Sequence, residues 1–296
     1  MNKKKYGFVF CLLVVIAVIC LGTVTIYVDH EKGEETTRQI RVVTSFYPMY
    51  IAAMNVTDGC DSVILENLSE PQTGCLHDYQ LTPEDMVLLS KADVFIINGG
   101  GIENFLSEVA SRYPELTMIE AGEDMEMLGE NAHMWMDTAK YQAQVQNIAK
   151  GLSKADAKNA EVYQKNADAY CEKISELTAE YQDVCNGHNK KVVLFHEGLE
   201  YVTREWGLND IYTLNLDEER QISAGEVADV LAAIRKDGAE MILAERTYGE
   251  ELAESVKKET GIRVVYADTC VRGAYEKDAY LKAMRSNLEA LKEALQ

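Results

Sequence analysis

The chain has 296 residues, of which 47% are hydrophobic, and this length allows one large domain or two of ordinary size. Its formal net charge is −20, from 29 basic and 49 acidic side chains. A surface this acidic repels nucleic acid and anionic lipid head groups but tolerates cations, so we expect no nucleic-acid partner.

The first 40 residues predict a membrane-directing segment followed by a polar tether. Three lysines precede an uncharged run, residues 6–28, which has about the 20-residue length that crosses a bilayer. Because positive flanks stay in the cytoplasm, we expect the body on the outer face of the cell membrane. No clean small-residue cleavage site follows, which favours an uncleaved anchor. The alternatives are a cleaved signal and lipid modification at Cys20.

Seven cysteines are present, and an exported compartment permits disulfides. Cys60 and Cys75 flank a short segment and could form a bridge. Cys171 and Cys185 would lie roughly 21 Å apart on one helix, which is too far for a bond. The sequence has no C-x-x-C pair, so a thiolate zinc knuckle is not expected.

From residue 41 strands and helices alternate, which predicts a parallel sheet covered on both faces. The helix in LTPEDMVLLSKA has a clear start, with Thr82 as the cap and Pro83 at the first position. The expected strands are IRVVTSF, DSVILENL, DVFIING and LTMIEAG, and the other helices are PMYIAAMNVTDG and ENFLSEVASRY.

Two helices are predicted in the middle of the chain. The first is TAKYQAQVQNIAKGL, and the second runs from about Ala155 to Val184 with its apolar residues at alternating spacings of four and three. At about 1.5 Å per residue the second helix is roughly 45 Å long. No matching heptads occur elsewhere, so a spine along one protein is favoured over a coiled coil.

After a turn at residues 186–191 the alternation restarts. The expected strands are KKVVLF, NDIYTLNL, EMILAE and IRVVYAD, and the helices are EGLEYVTREWG, AGEVADVLAAIRKDG, TYGEELAESVKKETG and KDAYLKAMRSNLEALKEALQ. The predicted fold is α/β, with two parallel-sheet lobes joined by a long rigid linking helix. The predicted divisions are an anchor and tether at 1–40, an N-terminal lobe at 41–137, linking helices at 138–186 and a C-terminal lobe at 187–296.

Four side chains indicate a metal site. His196 directly follows one predicted strand and Asp268 another, and sites form at such carboxyl edges of parallel sheets. His77 and His133 lie in predicted loops. A lone histidine beside apolar residues is more often a packing residue than a ligand, and Asp268 alone could equally cap a turn. Together, however, imidazole and carboxylate are ligands for Zn²⁺ and its neighbours. Three His and one Asp would close a tetrahedral shell without a coordinated water.

Four segments resemble, in order, the ligand-carrying segments of the metal-binding solute receptors of ABC importers. That family includes ZnuA-like, TroA-like and PsaA-like lipoproteins and adhesins. The resemblance covers about residues 41–295, and INGGGIENF is similar to the family's N-G-x-G-x-E turn. The four segments are LHDYQLTPEDM, NAHMWMDTAKY, FHEGLEYVTREWGL and YADTCV.

The resemblance implies a metal site in the cleft between the lobes. It also implies a supporting or structural position for Glu245, with ligation as the alternative, while Asp137 is expected to hold its loop. Leu76 and Ala132 replace the prolines usual before the first two histidines, so those loops are less stiff. The implied ligands are His77, His133, His196 and Asp268.

Three nitrogens and a carboxylate suit Zn²⁺, with Mn²⁺ as the alternative. The resemblance therefore implies a monomeric extracytoplasmic receptor that delivers the ion to a membrane permease. The His-rich loop of many zinc receptors is replaced by the acidic segment EAGEDMEMLGEN. A surface adhesin remains an alternative, since the family has members described in that way.

Two motifs resemble those of enzymes or nucleotide-binding proteins and offer alternatives to a metal receptor. HEGLE, at 196–200, begins like the H-E-x-x-H of zinc peptidases, but Glu200 stands where the second His belongs. A catalytic zinc also needs an open position for water, so we do not expect an enzyme. GGGIEN, at 99–104, lacks the third glycine of a dinucleotide fingerprint, so a tight turn before a helix is expected there.

Overall fold

The structure, a computed structural model, describes residues 16, 39–185, 188–216 and 220–296. The predicted membrane segment and Cys20 lie outside these residues, residue 16 excepted. Within the described part of the chain, no helix has the length and apolar character needed to cross a membrane. The chain divides into two compact units, residues 1–39 and 40–296, and the second contains every element below.

The first lobe is a four-stranded parallel sheet in the order β2-β1-β3-β4. Val42 on the central strand pairs with Leu65 on one side and Val94 on the other. The cap predicted for the second helix is present, because the Asp85 N–H donates to Thr82 Oγ1 at 3.2 Å. The strands are β1 (Ile40–Thr44), β2 (Val63–Asn67), β3 (Val94–Ile97) and β4 (Thr117–Glu120), and the helices are α1 (Tyr47–Val56), α2 (Pro83–Leu89) and α3 (Leu106–Arg112).

Two helices link the lobes: α4 (Thr138–Ala155) and α5 (Ala160–Cys185). The break between them is at Asp156, whose Oδ2 accepts hydrogen bonds from Asn159 Nδ2 at 2.7 Å and Tyr163 Oη at 2.7 Å. The predicted apolar stripe on the long helix is confirmed except at its last member, Val184, which is half-buried. The other members are buried: Tyr163, Ala167, Tyr170, Ile174, Leu177 and Tyr181.

The second lobe repeats the topology of the first, with a parallel sheet in the order β6-β5-β7-β8. The two parallel sheets confirm the predicted α/β class, while the residue boundaries proposed for the lobes stay a prediction. The strands are β5 (Lys191–Leu194), β6 (Asn209–Thr213), β7 (Met241–Ala244) and β8 (Arg263–Tyr266), and the helices are α6 (Leu199–Glu205), α7 (Ala224–Arg235), α8 (Arg246–Thr260) and α9 (Ala279–Leu295).

One contiguous apolar core spans both sheets. It includes Val42 and Phe95 of the first sheet together with Leu194 and Leu243 of the second, joined through buried residues of α4, α5 and α9. A smaller cluster around Phe195 packs on the second sheet alone. Most of the buried apolar residues of the two lobes therefore belong to one contiguous cluster.

The disulfide suggested between Cys60 and Cys75 is not present in the structure. In the described part of the chain neither cysteine forms a disulfide, and the same holds for Cys171 and Cys270. Cys60 precedes β2 and Cys75 follows it, and a five-residue strand alone spans about 16 Å. A disulfide requires Cα atoms within about 7 Å.

Candidate metal centre

The structure brings three of the predicted ligands together. His77 lies in the loop after β2, His133 directly precedes a short 3-10 turn at Met134–Met136, and His196 follows β5. The Nε2 atoms of His77 and His133 are 3.4 Å apart. The His133 ring centroid lies 5.1 Å from that of His77 and 5.0 Å from that of His196.

A hydrogen bond at Nδ1 orients the His133 ring so that Nε2 faces the cluster. Its Nδ1 lies 2.8 Å from Asn131 Oδ1, and Asn131 Nδ2 donates to the Glu197 carbonyl at 2.9 Å. Since the Asn131 amide group is engaged there, its oxygen faces His133 and accepts the Nδ1 proton. Burial, followed by the neighbouring His196 and His77, lowers the pKa of His133 well below its usual value. The imidazole is therefore neutral, with its lone pair on Nε2, as metal ligation requires.

His196 is also fully buried, but its Nδ1 accepts the Gly198 N–H at 2.9 Å. In this arrangement the proton of a neutral imidazole lies on Nε2. A cation can bind there only if that proton moves to Nδ1 and the Gly198 hydrogen bond is lost. Gly198 is tightly enclosed, because a Cβ at this position would come within 3.0 Å of both His133 Cδ2 and His196 Nδ1.

Two glutamates border the imidazoles. Glu197 Oε1 lies 3.6 Å from His77 Nε2 and 3.6 Å from His133 Nδ1. Glu245 Oε2 lies 3.7 Å from His196 Nε2, while its Oε1 accepts a hydrogen bond from Arg272 Nη1 at 2.5 Å. The guanidinium neutralises Glu245, which favours a supporting position for this residue over direct ligation.

Asp268 follows β8, as predicted, and its Oδ1 accepts the Cys270 N–H at 2.6 Å. Burial raises the pKa of Asp268, and the Glu245 charge adds to this, whereas the Cys270 N–H and Arg272 lower it. In the described part of the chain, ligand atoms within 4.8 Å of one another form two groups, and Asp268 belongs to neither. Its role as a fourth ligand stays a prediction. The two groups are Cys75, His133 and His196, and His77, His133 and Glu197.

The loop that carries His133 is anchored from several sides. Trp135 Nε1 donates to the Thr269 carbonyl at 2.9 Å, and Tyr280 Oη donates to the Trp135 carbonyl at 2.9 Å. Asp137 caps α4, because its Oδ1 accepts the Lys140 N–H at 2.8 Å. The role of Asp137 in holding the loop stays a prediction.

The sequence alone does not indicate Cys75 as a site residue, and it offers Glu197 only as the possible general base of the zinc-peptidase-like motif HEGLE. Cys75 Sγ lies 3.6 Å from His133 Nε2 and 3.8 Å from His196 Nε2. The available signal was spacing, since Cys75 precedes His77 by two residues in one loop. The cluster thus presents imidazole nitrogens, a thiol and carboxylates, which are donors that fit a divalent transition metal.

Comparisons with known proteins agree with the fold. The family model described as "Zinc-uptake complex component A periplasmic" matches residues 42–294. The chain is 27% identical over 250 residues to the iron-binding protein YfeA of Yersinia pestis, covering 79% of each. It is 24% identical over 324 residues to the high-affinity zinc uptake system protein ZnuA of Bacillus subtilis (strain 168), covering 100% of this chain and 99% of the relative.

A solved structure shows the same fold. The SBP FpvC of P. aeruginosa, in complex with Ni²⁺, superposes with a TM-score of 0.79 at 24% identity. The match covers 87% of this chain and 97% of FpvC. The names of these three proteins cite iron, zinc and nickel, so the similarities leave open which ion this chain binds.

Proposed function

Since the chain belongs to the family of zinc-uptake complex component A, we propose that it is an extracytoplasmic receptor that captures zinc and delivers it to the permease of an ABC importer. The predicted N-terminal segment would tether it, as a monomer, to the outer face of the cell membrane. Manganese is the alternative cargo within the same family.

The observation that supports capture is the convergence of His77, His133 and His196. His77 and His133 belong to the first lobe and His196 to the second, so an ion bound by all three would join the lobes. The neutral, buried His133 stands between the other two rings. Asp268 is proposed to approach the ion from the second lobe.

The donor types favour zinc. Mn²⁺ prefers carboxylate, carbonyl and water oxygens, whereas imidazole suits Zn²⁺. One candidate oxygen donor, Glu245, is already paired with Arg272. Ni²⁺ and Cu²⁺ also accept imidazole ligands, so they are expected to bind in solution.

Capture is favoured over hydrolysis. In a zinc peptidase, a glutamate next to a ligand histidine acts as the general base for a zinc-bound water. Here Glu197 contacts two of the imidazoles, and four protein ligands would fill a tetrahedral shell and leave no position for that water. The proposed receptor is therefore not an enzyme.

Calorimetric titration with Zn²⁺ and Mn²⁺ tests the proposal. We expect a one-to-one zinc isotherm that is tighter than the manganese one. His133→Ala should weaken zinc binding by more than about 100-fold, since even residues that orient a ligand contribute 10- to 100-fold. His188→Ala, a histidine in the turn before β5, is the matched control and should bind as the wild type does. Failure to bind any divalent ion would refute the receptor, and tighter manganese binding would reassign its cargo.

A further inference from the structure

We infer that Cys75 is a protein ligand of the captured ion, which it binds as a thiolate beside the three imidazoles, and that this sulfur makes the receptor selective for zinc over manganese. The inference rests on the proposed function, because it concerns the ion captured by this same cluster. The expected cargo class is a borderline or soft cation.

Three of the distances between donor atoms match a tetrahedral zinc site. Zn–N bonds of about 2.05 Å and a Zn–S bond of about 2.3 Å require N···N separations of about 3.4 Å and N···S separations of about 3.6 Å. The N···N distance between His77 and His133 is 3.4 Å. The sulfur of Cys75 lies 3.6 Å from His133 Nε2 and 3.8 Å from His196 Nε2. Three of the six edges of a three-histidine, one-cysteine tetrahedron are therefore already close to their required lengths.

The loop that carries Cys75 is fixed on both sides of it. Arg272 Nε donates to the Gln72 carbonyl at 3.3 Å, and Asn104 Nδ2 donates to the His77 carbonyl. Leu76, between Cys75 and His77, is fully buried. The sulfur is thus presented to the imidazoles by an anchored segment.

Cys75 is better placed than either carboxylate on the second-lobe side, so in this inference its sulfur takes the fourth position that the resemblance assigns to Asp268. Asp268 already accepts a backbone N–H and lies outside both groups of converging ligand atoms, and Glu245 is paired with Arg272. The sulfur lies within 4.8 Å of the ligand atoms of both His133 and His196. Thiolate selects zinc and other soft or borderline ions, whereas manganese favours oxygen donors.

Cobalt substitution tests the inference directly. Co²⁺ is titrated into the full-length chain under reducing conditions, and absorption is recorded in the near ultraviolet and visible. We expect one-to-one binding with a thiolate-to-cobalt charge-transfer band. Cys75→Ser should abolish the band. It should also lower the ratio of zinc to manganese affinity by more than about tenfold, because even a residue that only supports a ligand contributes at least about tenfold to metal affinity. Cys60→Ser and Cys270→Ser, two free cysteines outside the cluster, should retain the band.

The outcomes separate the two proposals. Tight cobalt binding without a charge-transfer band, or a band that survives in Cys75→Ser, would overturn the role of Cys75 and leave the receptor intact. Absence of one-to-one binding of both cobalt and zinc would overturn both. If Cys75→Ser does not fold, X-ray absorption of the zinc-loaded wild type replaces it. A sulfur at about 2.3 Å is then expected, and a shell of nitrogen and oxygen only would refute the inference.

Discussion

The tautomer of His133 is set by one neighbouring amide. Asn131 accepts from Nδ1 through its oxygen, while its Nδ2 donates to the Glu197 carbonyl and to Glu200 Oε2 at 3.1 Å. The amide thus ties His133, in the first lobe, to the segment that carries His196 in the second. A residue that never touches the ion would therefore control how both lobes present their ligands.

We expect Asn131→Ala to weaken zinc binding by about 10- to 100-fold, because His133 loses the acceptor that fixes its ring and tautomer. Calorimetry on the two proteins measures the change. Asn147→Ala is the matched control, since that amide donates to the carbonyls of Ala121 and Glu123, outside the cluster. Equal affinity for Asn131→Ala and the wild type would show that Asn131 has no orienting role.

The sequence predicted the histidines of the site better than its other donors. His196 was identifiable because it directly follows a buried strand, and His133 because its segment resembles a family motif. For Cys75 the sequence suggested only a possible disulfide with Cys60, because the two cysteines flank a short segment. Cys75 and His196 are more than a hundred residues apart in sequence. They approach each other through packing between the two lobes, which local sequence patterns do not encode.

At the scale of elements, the alternation of strands and helices predicted both sheets, but not the contacts that join them. One such contact connects the start of α4 to the end of α6. Thr138 Oγ1 donates to Glu205 Oε1, and the Thr138 N–H donates to Oε2 at 3.4 Å. Burial, with the Asp137 charge, raises the pKa of Glu205 to about 7, although both Thr138 hydrogen bonds oppose this.

This raised pKa makes the stability of the fold depend on pH. The native carboxyl binds a proton between its unfolded pKa of about 4.5 and its folded pKa of about 7. The stabilisation from this proton is present below the unfolded value and is lost as pH rises through the folded one. Between pH 5 and 8 the wild type should lose up to about 3 kcal/mol in free energy of unfolding relative to Glu205→Gln.

Urea denaturation of both proteins at pH 5 and pH 8 measures this difference. Glu293→Gln, at an exposed position on α9, is the control and should follow the wild type at both values. A constant difference between the wild type and Glu205→Gln across this range would contradict the burial of a carboxyl with a raised pKa.

At the scale of the whole molecule, the two lobes are joined by much more than a hinge. The apolar core is continuous from the first sheet to the second. Side chains also bond across it: Tyr47 Oη donates to the Ala274 carbonyl at 2.7 Å, and Tyr181 Oη, on α5, donates to the Met284 carbonyl at 2.5 Å. Wide opening would expose this core and break these bonds together.

We therefore expect zinc to stabilise the molecule without a large change of shape. The radius of gyration should fall by less than about 1 Å on zinc binding, the scale of backbone movement in pre-organised complexes. The free energy of unfolding should rise by about 2.7 kcal/mol at a free zinc concentration of 100 times the Kd, since only the native state binds the ion. X-ray scattering and urea denaturation, each with zinc and with excess chelator, measure the two quantities. At the same zinc concentration, the free energy of unfolding and the radius of gyration of His133→Ala should not change. A contraction of several ångströms in the wild type would contradict this prediction and indicate hinge motion between the lobes.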